Sequence, residues 1–327
     1  MMGFSDVGKQ ECSAQSMGPG LAVLVFSHDR GDSLAVCLES IARSIPGVTV
    51  IVVDDDSTDA GTVHVLDAWK HQVTILEPDR YMAMSQRSRG RLHANMQRAF
   101  EFAQGKGVEL ALVLQDDMQM VRTVGTADIQ GVLRYFHANP DTLQLLTTFS
   151  PFNREEAEEL WAVDESGVAL FPKPRNRRAY SAVGLFHLPR FFKHMRTLEA
   201  TEQENVDKAD ALGLTKGTEA RYPFMMFLPY PETAKSRNRT VARRITERMA
   251  GSGVHPFEPM TGETLGRFLS HEPHAPPLAR EWLRCPSVDD YSLWSYYGGA
   301  RDLRARGGWR GAVGTLARAR APQVRRN

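Results

Sequence analysis

The chain has 327 residues, of which 42% are hydrophobic and 24% charged, and it carries a net charge of +1 at pH 7. This composition is typical of a globular protein and excludes a mostly disordered or collagen-like chain. The longest apolar runs reach about six residues, whereas a membrane-spanning helix needs about 18. We therefore expect no membrane span, and the length fits one large α/β domain with an extension.

The N-terminal segment and the cysteines predict the cellular compartment. Residues 1–20 are polar and lack an apolar stretch, so we expect no secretory signal and a disordered segment over residues 1–19. Cys12, Cys37 and Cys285 are odd in number and widely spaced, which fits neither a disulfide framework nor a zinc site. We therefore expect a cytoplasmic protein.

The charge is unevenly distributed along the chain. Residues 301–327 contain eight arginines and one acidic residue, Asp302. Because the whole chain carries +1, this tail of +7 leaves −6 on the other 300 residues. The body is not basic, so we expect no nucleic-acid partner. The arginine-rich tail could lie on the anionic inner face of a membrane or be a disordered, solubilising segment, and both interpretations stay open.

Short apolar runs alternate with helix-period segments over the first 140 residues. Residues 21–26, 48–53, 73–76 and 110–114 predict strands, and helices are predicted after each of them. Such alternation with short connections predicts an α/β fold with a mainly parallel, mixed sheet flanked by helices, which is Rossmann-like. We expect this domain over residues 20–235, an irregular helical and loop extension over 236–300, and the tail beyond it.

Acidic residues follow three of the predicted strands. Ser27, Asp29 and Arg30 follow the first strand, Asp54 and Asp55 the second, and Asp116 and Asp117 the fourth. The carboxyl ends of parallel strands share one edge of a sheet, which is where ligands bind. Like charges in one crevice repel each other unless a cation or hydrogen-bond donors enter. Each acid alone could instead be a helix N-cap.

A nucleotide with a diphosphate fits these strand ends. A carboxylate after the second strand can accept the ring N–H of uracil or guanine, and Asp117 can hold Mg²⁺ or Mn²⁺ that bridges phosphate oxygens. Neither a P-loop nor a G-x-G-x-x-G loop is present. The phosphates would therefore be neutralised by metal and arginine. The nearest basic residues are Arg87, Arg89 and Arg91, unless these are solvated surface side chains.

Four segments resemble, in order and spacing, the successive signatures of glycosyltransferase family 2, whose members have the GT-A fold. They are residues 23–30, 50–59, 90–99 and 113–117, and the resemblance becomes loose from about residue 120 to about residue 230.

This resemblance implies that Asp54 and Asp55 contact the base, Asp116 the ribose or sugar, and Asp117 the metal. Arg89 or Arg91 completes the donor side, with Asn95 as packing support. Two residues depart from the family pattern, since Asp29 stands where Asn is usual and Gln115 replaces the first acid of the metal motif.

The resemblance also implies a catalytic base on a helix beyond the metal motif. The corresponding pair is Glu204-Asn205, and Asn cannot take a proton. Glu204 is therefore the first candidate for the base and Asp207 the second, unless this segment is only an exposed acidic helix face. Gly184 would let a sugar approach the backbone closely, and a late histidine, His255, His271 or His274, could join the metal.

Together these features predict a metal-dependent, inverting glycosyltransferase of the hexosyltransferase type that acts in polysaccharide biosynthesis. The donor would be a UDP- or GDP-linked sugar, and the acceptor a saccharide or a lipid-linked molecule. A nucleotidyltransferase shares the sheet and the metal but needs a glycine-rich loop after the first strand. A catalytically impaired nucleotide-sugar binding protein is the other alternative, because Gln115 and Asn205 are neutral amides where acids are expected.

Overall fold

The computed structural model of the chain describes residues 20–77, 91–150, 162–163, 168–170, 180–219, 223–229, 253–271 and 277–287, with single positions at 245, 248, 249, 251, 308 and 312. The predicted disordered segment 1–19, Arg89, His274 and nearly all of the arginine-rich tail lie outside these residues. Among the residues described, no helix is both long enough and apolar enough to cross a membrane.

The first half of the described chain alternates strands and helices as predicted. Its elements are β1 (Leu21–Ser27), α1 (Gly31–Ser44), β2 (Thr49–Asp54), α2 (Ala60–Trp69), β3 (Thr74–Leu76), α3 (Arg91–Gly105), β4 (Leu110–Gln115), β5 (Met118–Met120), α4 (Thr126–Ala138) and β6 (Thr142–Leu146). The four predicted strands are β1 to β4, and their ends lie within one or two residues of the expected positions.

The second half is less regular, with short strands and helices. These are β7 (Ala162–Val163), β8 (Val168–Leu170), β9 (Gly184–His187), α5 (Leu188–His194), α6 (Glu202–Ala211), β10 (Thr215–Glu219), β11 (Met225–Phe227), α7 (Gly262–Leu269) and α8 (Ala279–Trp282).

One large sheet carries nine of the described strands, in the order β3-β2-β1-β4-β9-β6-β10-β8-β7. The pairs β1–β2, β1–β4, β2–β3 and β6–β10 are parallel, whereas β9 lies antiparallel between β4 and β6. Only β8 and β9 oppose the common strand direction in this sheet. The predicted α/β fold with a mainly parallel, mixed sheet is therefore confirmed.

Hydrophobic cores cover both faces of the sheet. Alternate residues of β1 belong to two separate clusters: Val23 packs with residues of α1 and α4, and Leu24 packs with residues of α3, α5 and α6. Every residue of β1 is buried. This explains why the sequence of β1 is apolar without alternation, as in strands that are covered on both sides.

Two glycines allow close backbone approaches that position the strand-end loops. A Cβ at Gly31, the first residue of α1, would lie 2.4 Å from the carbonyl carbon of Gly61 in α2. Gly184 has a φ of +123°, and a Cβ there would lie 2.7 Å from the carbonyl oxygen of Leu145 in β6. The close neighbour of Gly184 is therefore the adjacent strand, which replaces the close sugar contact expected from the sequence.

The residues after 253 attach to the segment that follows β4. The Gln119 side chain donates to the Phe257 carbonyl oxygen at 2.9 Å and accepts from the Phe257 amide at 2.8 Å. A third core joins Phe149 and Val121 to α7, α8 and the buried Cys285. Neither Cys285 nor Cys37 forms a disulfide bond with another described residue. The extension is thus fixed directly beside the acidic end of β4.

We expect Gly31→Ala to lower the free energy of unfolding by about 1–3 kcal/mol, because the added methyl group overpacks the Gly61 backbone. Gly105→Ala is the matched control, since its Cβ would meet no atom within 4 Å, and it should leave stability unchanged or raise it by up to about 1 kcal/mol. Urea unfolding followed by circular dichroism measures both. Equal stabilities of the two variants would contradict the close helix contact.

Candidate functional site

A cavity of about 490 Å³ opens at the carboxyl ends of β1, β2 and β4. Its volume lies in the usual range for small-ligand sites. The sequence-predicted donor-site residues that line it are Ser27, Asp29, Arg30, Asp55, Arg91 and Asp116. The structure therefore brings residues from three strand ends and the start of α3 to one place.

Arg30 forms a buried ion triad with Asp116 and Asp117. Its Nη1 atom lies 2.5 Å from Asp117 Oδ2 and 3.3 Å from Asp116 Oδ1. Arg30 is 8% exposed, Asp116 is 5% exposed and Asp117 is 1% exposed. The backbone amide of His28 also donates to Asp116 Oδ2 at 3.0 Å. The predicted repulsion between these acids is thus partly offset by a cation of the chain itself.

One oxygen of this triad is left without a partner. Asp117 Oδ1 is buried and has no hydrogen bond, while Arg30 contacts the other oxygen. Buried polar atoms are normally paired, and carboxylate oxygens are the ligands that Mg²⁺ and Mn²⁺ prefer. Asp117 therefore fits a divalent ion as a single protein ligand, although the residue does not line the cavity itself.

The described residues contain no group of three or more His, Cys, Asp or Glu side chains that could hold a metal. His255 contacts Ser287 and the Gly251 carbonyl, and His271 contacts the Phe268 carbonyl. Neither histidine lines the cavity at the strand ends. A divalent ion would therefore take its remaining ligands from substrate phosphates and water, as Mg²⁺ commonly does.

Asp55 is held by two side chains of α3 that lie one turn apart. Arg91 Nε lies 2.8 Å from Asp55 Oδ1, and Asn95 donates to the same oxygen at 3.1 Å. Arg91 Nη2 also donates to Asp56 Oδ2 at 2.8 Å. Asp55 Oδ2 makes no hydrogen bond with any described residue, and Asp55 lines the cavity. This oxygen is therefore available to a ligand.

Asp29 and Asp54 join the loops that follow β1 and β2. Asp29 has a φ of 50°, a left-handed conformation that Asp and Asn tolerate best after Gly, and its Oδ1 accepts the amides of Thr58 and Asp59 at 2.7 and 2.9 Å. Both Asp54 oxygens accept hydrogen bonds from Ser57. Asp54, which was predicted to contact the base, consequently does not line the cavity.

Some features of the site were not expected from the sequence. His28 was not proposed as a site residue, yet it lines the cavity and its Nδ1 lies 3.0 Å from the Asp55 carbonyl oxygen. The sequence indicates His28 only through its position between two expected site residues, Ser27 and Asp29. Ser27 Oγ is buried without a hydrogen-bond partner. Asn95 does more than pack, because its amide fixes Asp55.

The two predicted base residues lie on the exposed face of α6. Glu204 forms a capping box with Thr201, since its Oε2 accepts from the Thr201 amide at 2.9 Å and from Oγ1 at 2.8 Å. Asp207 is exposed and accepts from Gln203 at 2.7 Å. Asn205 is fully buried and hydrogen-bonds the backbone of residues 199 and 201. Glu204 and Asn205 therefore stabilise the start of α6, and neither predicted base residue lines the cavity at the strand ends.

The start of α6 lies near the start of α3. Burial lowers the pKa of His93 in α3, and the nearby Glu202 and Glu204 act in the opposite direction. The His93 ring centroid lies 5.7 Å from that of Tyr180, and its Nε2 is buried without a partner. The first turn of α6 therefore lies near His93, which is two residues from the cavity-lining Arg91.

Residues 22–152 match the family model described as Glycosyl transferase family 2. No curated protein matches the sequence. Among solved structures, the chain is similar to the mannosyltransferase PcManGT from Pyrobaculum calidifontis in complex with GDP-Man and Mn²⁺, with 13% identity, a TM-score of 0.42, and coverage of 91% of this chain and 74% of that one. It is also similar to mannosyl-3-phosphoglycerate synthase from Rubrobacter xylanophilus, with 19% identity, a TM-score of 0.30, and coverage of 43% and 42%.

Neither structural similarity identifies a substrate, because both TM-scores lie below 0.5. The family match is more informative about the site, because it spans β1 to β6 and all three acidic strand ends. All four motif segments lie wholly within it. The resemblance seen in the sequence is confirmed over this segment, since residues 22–152 match the glycosyl transferase family 2 model.

Proposed function

We propose that this protein is a metal-dependent, inverting hexosyltransferase that moves one sugar from a UDP- or GDP-linked donor to a saccharide or lipid-linked acceptor, as in polysaccharide assembly. The observation that carries the proposal is the cavity at three strand ends of a glycosyl transferase family 2 segment, where Asp55, Arg91, Arg30 and Asp116 meet. Its carboxylates and guanidinium groups suit a base and a diphosphate respectively.

On the donor side, Asp55 Oδ2 accepts the ring N–H of the base while Arg91 and Asn95 hold the carboxylate in position. Arg30 and Arg91 line the same cavity, and their remaining N–H groups donate to the diphosphate oxygens. A divalent ion held at Asp117 Oδ1 would add charge that stabilises the departing diphosphate. Asp116, oriented by Arg30 and the His28 amide, accepts from a ribose or sugar hydroxyl.

On the acceptor side, inverting transfer needs a base that removes the proton of the attacking hydroxyl. Glu204 is exposed on the first turn of α6 and is accessible to an acceptor. The hydroxyl proton would pass to a Glu204 carboxylate oxygen as the acceptor oxygen bonds to the anomeric carbon and the bond from that carbon to the nucleoside diphosphate breaks. Asp207 is the second candidate on the same helix.

We expect UDP and GDP to bind at least about tenfold more tightly than CDP and ADP, because cytosine N3 and adenine N1 are acceptors that Asp55 would repel. Asp55→Asn replaces one oxygen with a donor amide and should remove this preference. Asp67→Asn, on the exposed face of α2, is the matched control. Isothermal titration of the four diphosphates measures the effect, and equal affinities in the unaltered protein would exclude base recognition by Asp55.

We expect Mn²⁺ to tighten binding of the UDP- or GDP-linked sugar at least about tenfold relative to buffer with chelator, and Asp117→Asn to abolish this gain. Asn keeps the volume of the side chain, so circular dichroism should show a folded variant. If the unaltered protein binds and turns over the donor equally well with chelator, metal dependence is wrong, whatever the stability of the variant.

We expect Glu204→Gln to reduce sugar transfer by about 10²-fold or more while leaving donor affinity unchanged, because general-base catalysis typically contributes at least this factor. Gln can serve at the third position of a capping box, so α6 should keep its stability. Asp207→Asn on the same helix tests the second candidate. Full transfer activity in both variants would reject α6 as the source of the base.

The same assay separates the two rival functions. Release of pyrophosphate from a nucleoside triphosphate would indicate a nucleotidyltransferase. Donor binding without transfer or donor hydrolysis in the unaltered protein would indicate a catalytically impaired binding protein, which the buried structural role of Asn205 favours.

A further inference from the structure

A second cavity, of about 840 Å³, lies in the extension and shares no lining residue with the cavity at the strand ends. It is formed by α7, α8 and the residues that follow α8. Arg267, Arg280 and Arg284 line it together with Trp282. The function proposed above assigns no role to this group, which we call the arginine cavity.

The three arginines of the arginine cavity are exposed and form no ion pair with any described residue. Glu258 and Glu281 also line the cavity, but neither comes within ion-pair distance of these arginines. Three arginines against two glutamates leave the lining with one positive charge in excess, which favours an anionic ligand. Guanidinium groups present paired N–H donors that match the oxygens of a phosphate or carboxylate.

The aromatic wall of the cavity is rigidly supported. The Trp282 ring packs edge-on against the fully buried Phe268 with ring centroids 5.2 Å apart. The Arg267 guanidinium lies over the Trp282 ring at 5.9 Å from its centroid. Trp282 is only partly buried, so it keeps ring surface for a ligand. Flat aromatic surface beside fixed cations suits a molecule with an apolar face and an oxyanion.

We propose that the arginine cavity binds a saccharide that carries a phosphate or carboxylate group. The oxyanion contacts Arg267, Arg280 and Arg284, and one face of the sugar ring packs on Trp282. Nucleic acid is the poorer occupant, because the body outside the tail carries −6 and two glutamates also line the cavity. This binding does not depend on the function proposed above.

The test is isothermal titration of the full chain, without nucleotide, against glucose 6-phosphate, N-acetylglucosamine 6-phosphate and glucuronate. Glucose and inorganic phosphate are the reference ligands. At least one anionic sugar should bind about tenfold more tightly than either reference, since both halves of the ligand contribute. No binding of any anionic sugar, or binding no tighter than inorganic phosphate, would overturn the proposal.

Variants locate the site. Arg267→Gln combined with Arg284→Gln should weaken anionic-sugar binding about tenfold or more, because two fork contacts are lost. Trp282→Leu should weaken the sugar phosphates and leave inorganic phosphate unchanged. Arg134→Gln, on the exposed face of α4, is the matched control and should bind normally. Equal losses in the control and the double variant would contradict a defined site.

One further measurement distinguishes the possible sources of the anion. Another distinguishes failure of this proposal from failure of the proposed function. Sedimentation with phosphatidic acid and phosphatidylcholine vesicles tests a lipid headgroup, and binding to the anionic vesicles alone, without any anionic sugar, would overturn the saccharide assignment. UDP and GDP affinities should be unchanged in the double variant. Loss of donor binding in Asp55→Asn with intact anionic-sugar binding would separate failure at one site from failure at the other.

Discussion

The whole site depends on one buried guanidinium that holds two buried carboxylates at the end of β4. Removing one member of a buried ion pair typically costs about 3–5 kcal/mol, because the remaining charge is left uncompensated. The triad of Arg30, Asp116 and Asp117 keeps one negative charge in excess. Its field reaches Cys37, whose pKa is raised by burial and, to a smaller extent, by both carboxylates. A cation, or a cation that bridges phosphates, would therefore offset the excess negative charge of this triad.

The strands and helices of the first half could be predicted from the sequence, because the patterns that indicate them are local. The apolar runs of β1 and β4 are buried on both faces, and their lack of alternation follows directly from that burial. Asp59 caps α2 by accepting from the Thr62 amide at 2.8 Å, so the N-cap interpretation of a strand-end acid is correct there. The antiparallel insertion of β9 between β4 and β6 had no local signal, since strand order is decided by contacts far apart in the chain.

The site was predictable as a region and less so as individual side chains. Adjacent residues have different partners: Asp54 accepts hydrogen bonds from Ser57, whereas Asp55 pairs with Arg91 of α3. Arg30 is buried because it pairs with the carboxylates of Asp116 and Asp117. These lie 86 and 87 residues further along the chain, so no local sequence pattern predicts the contact. Thr201 and Glu204 form a capping box whose spacing was visible in the sequence, although the resemblance drew attention to catalysis instead.

The attachment of the extension through Gln119 uses only uncharged partners, the side-chain amide and the Phe257 backbone. An amide neither titrates nor attracts counterions. This joint therefore depends on no charged group, whereas Arg30 holds the end of β4 through ion pairs. The link that carries the second cavity is in this way independent of the charges that surround the first cavity.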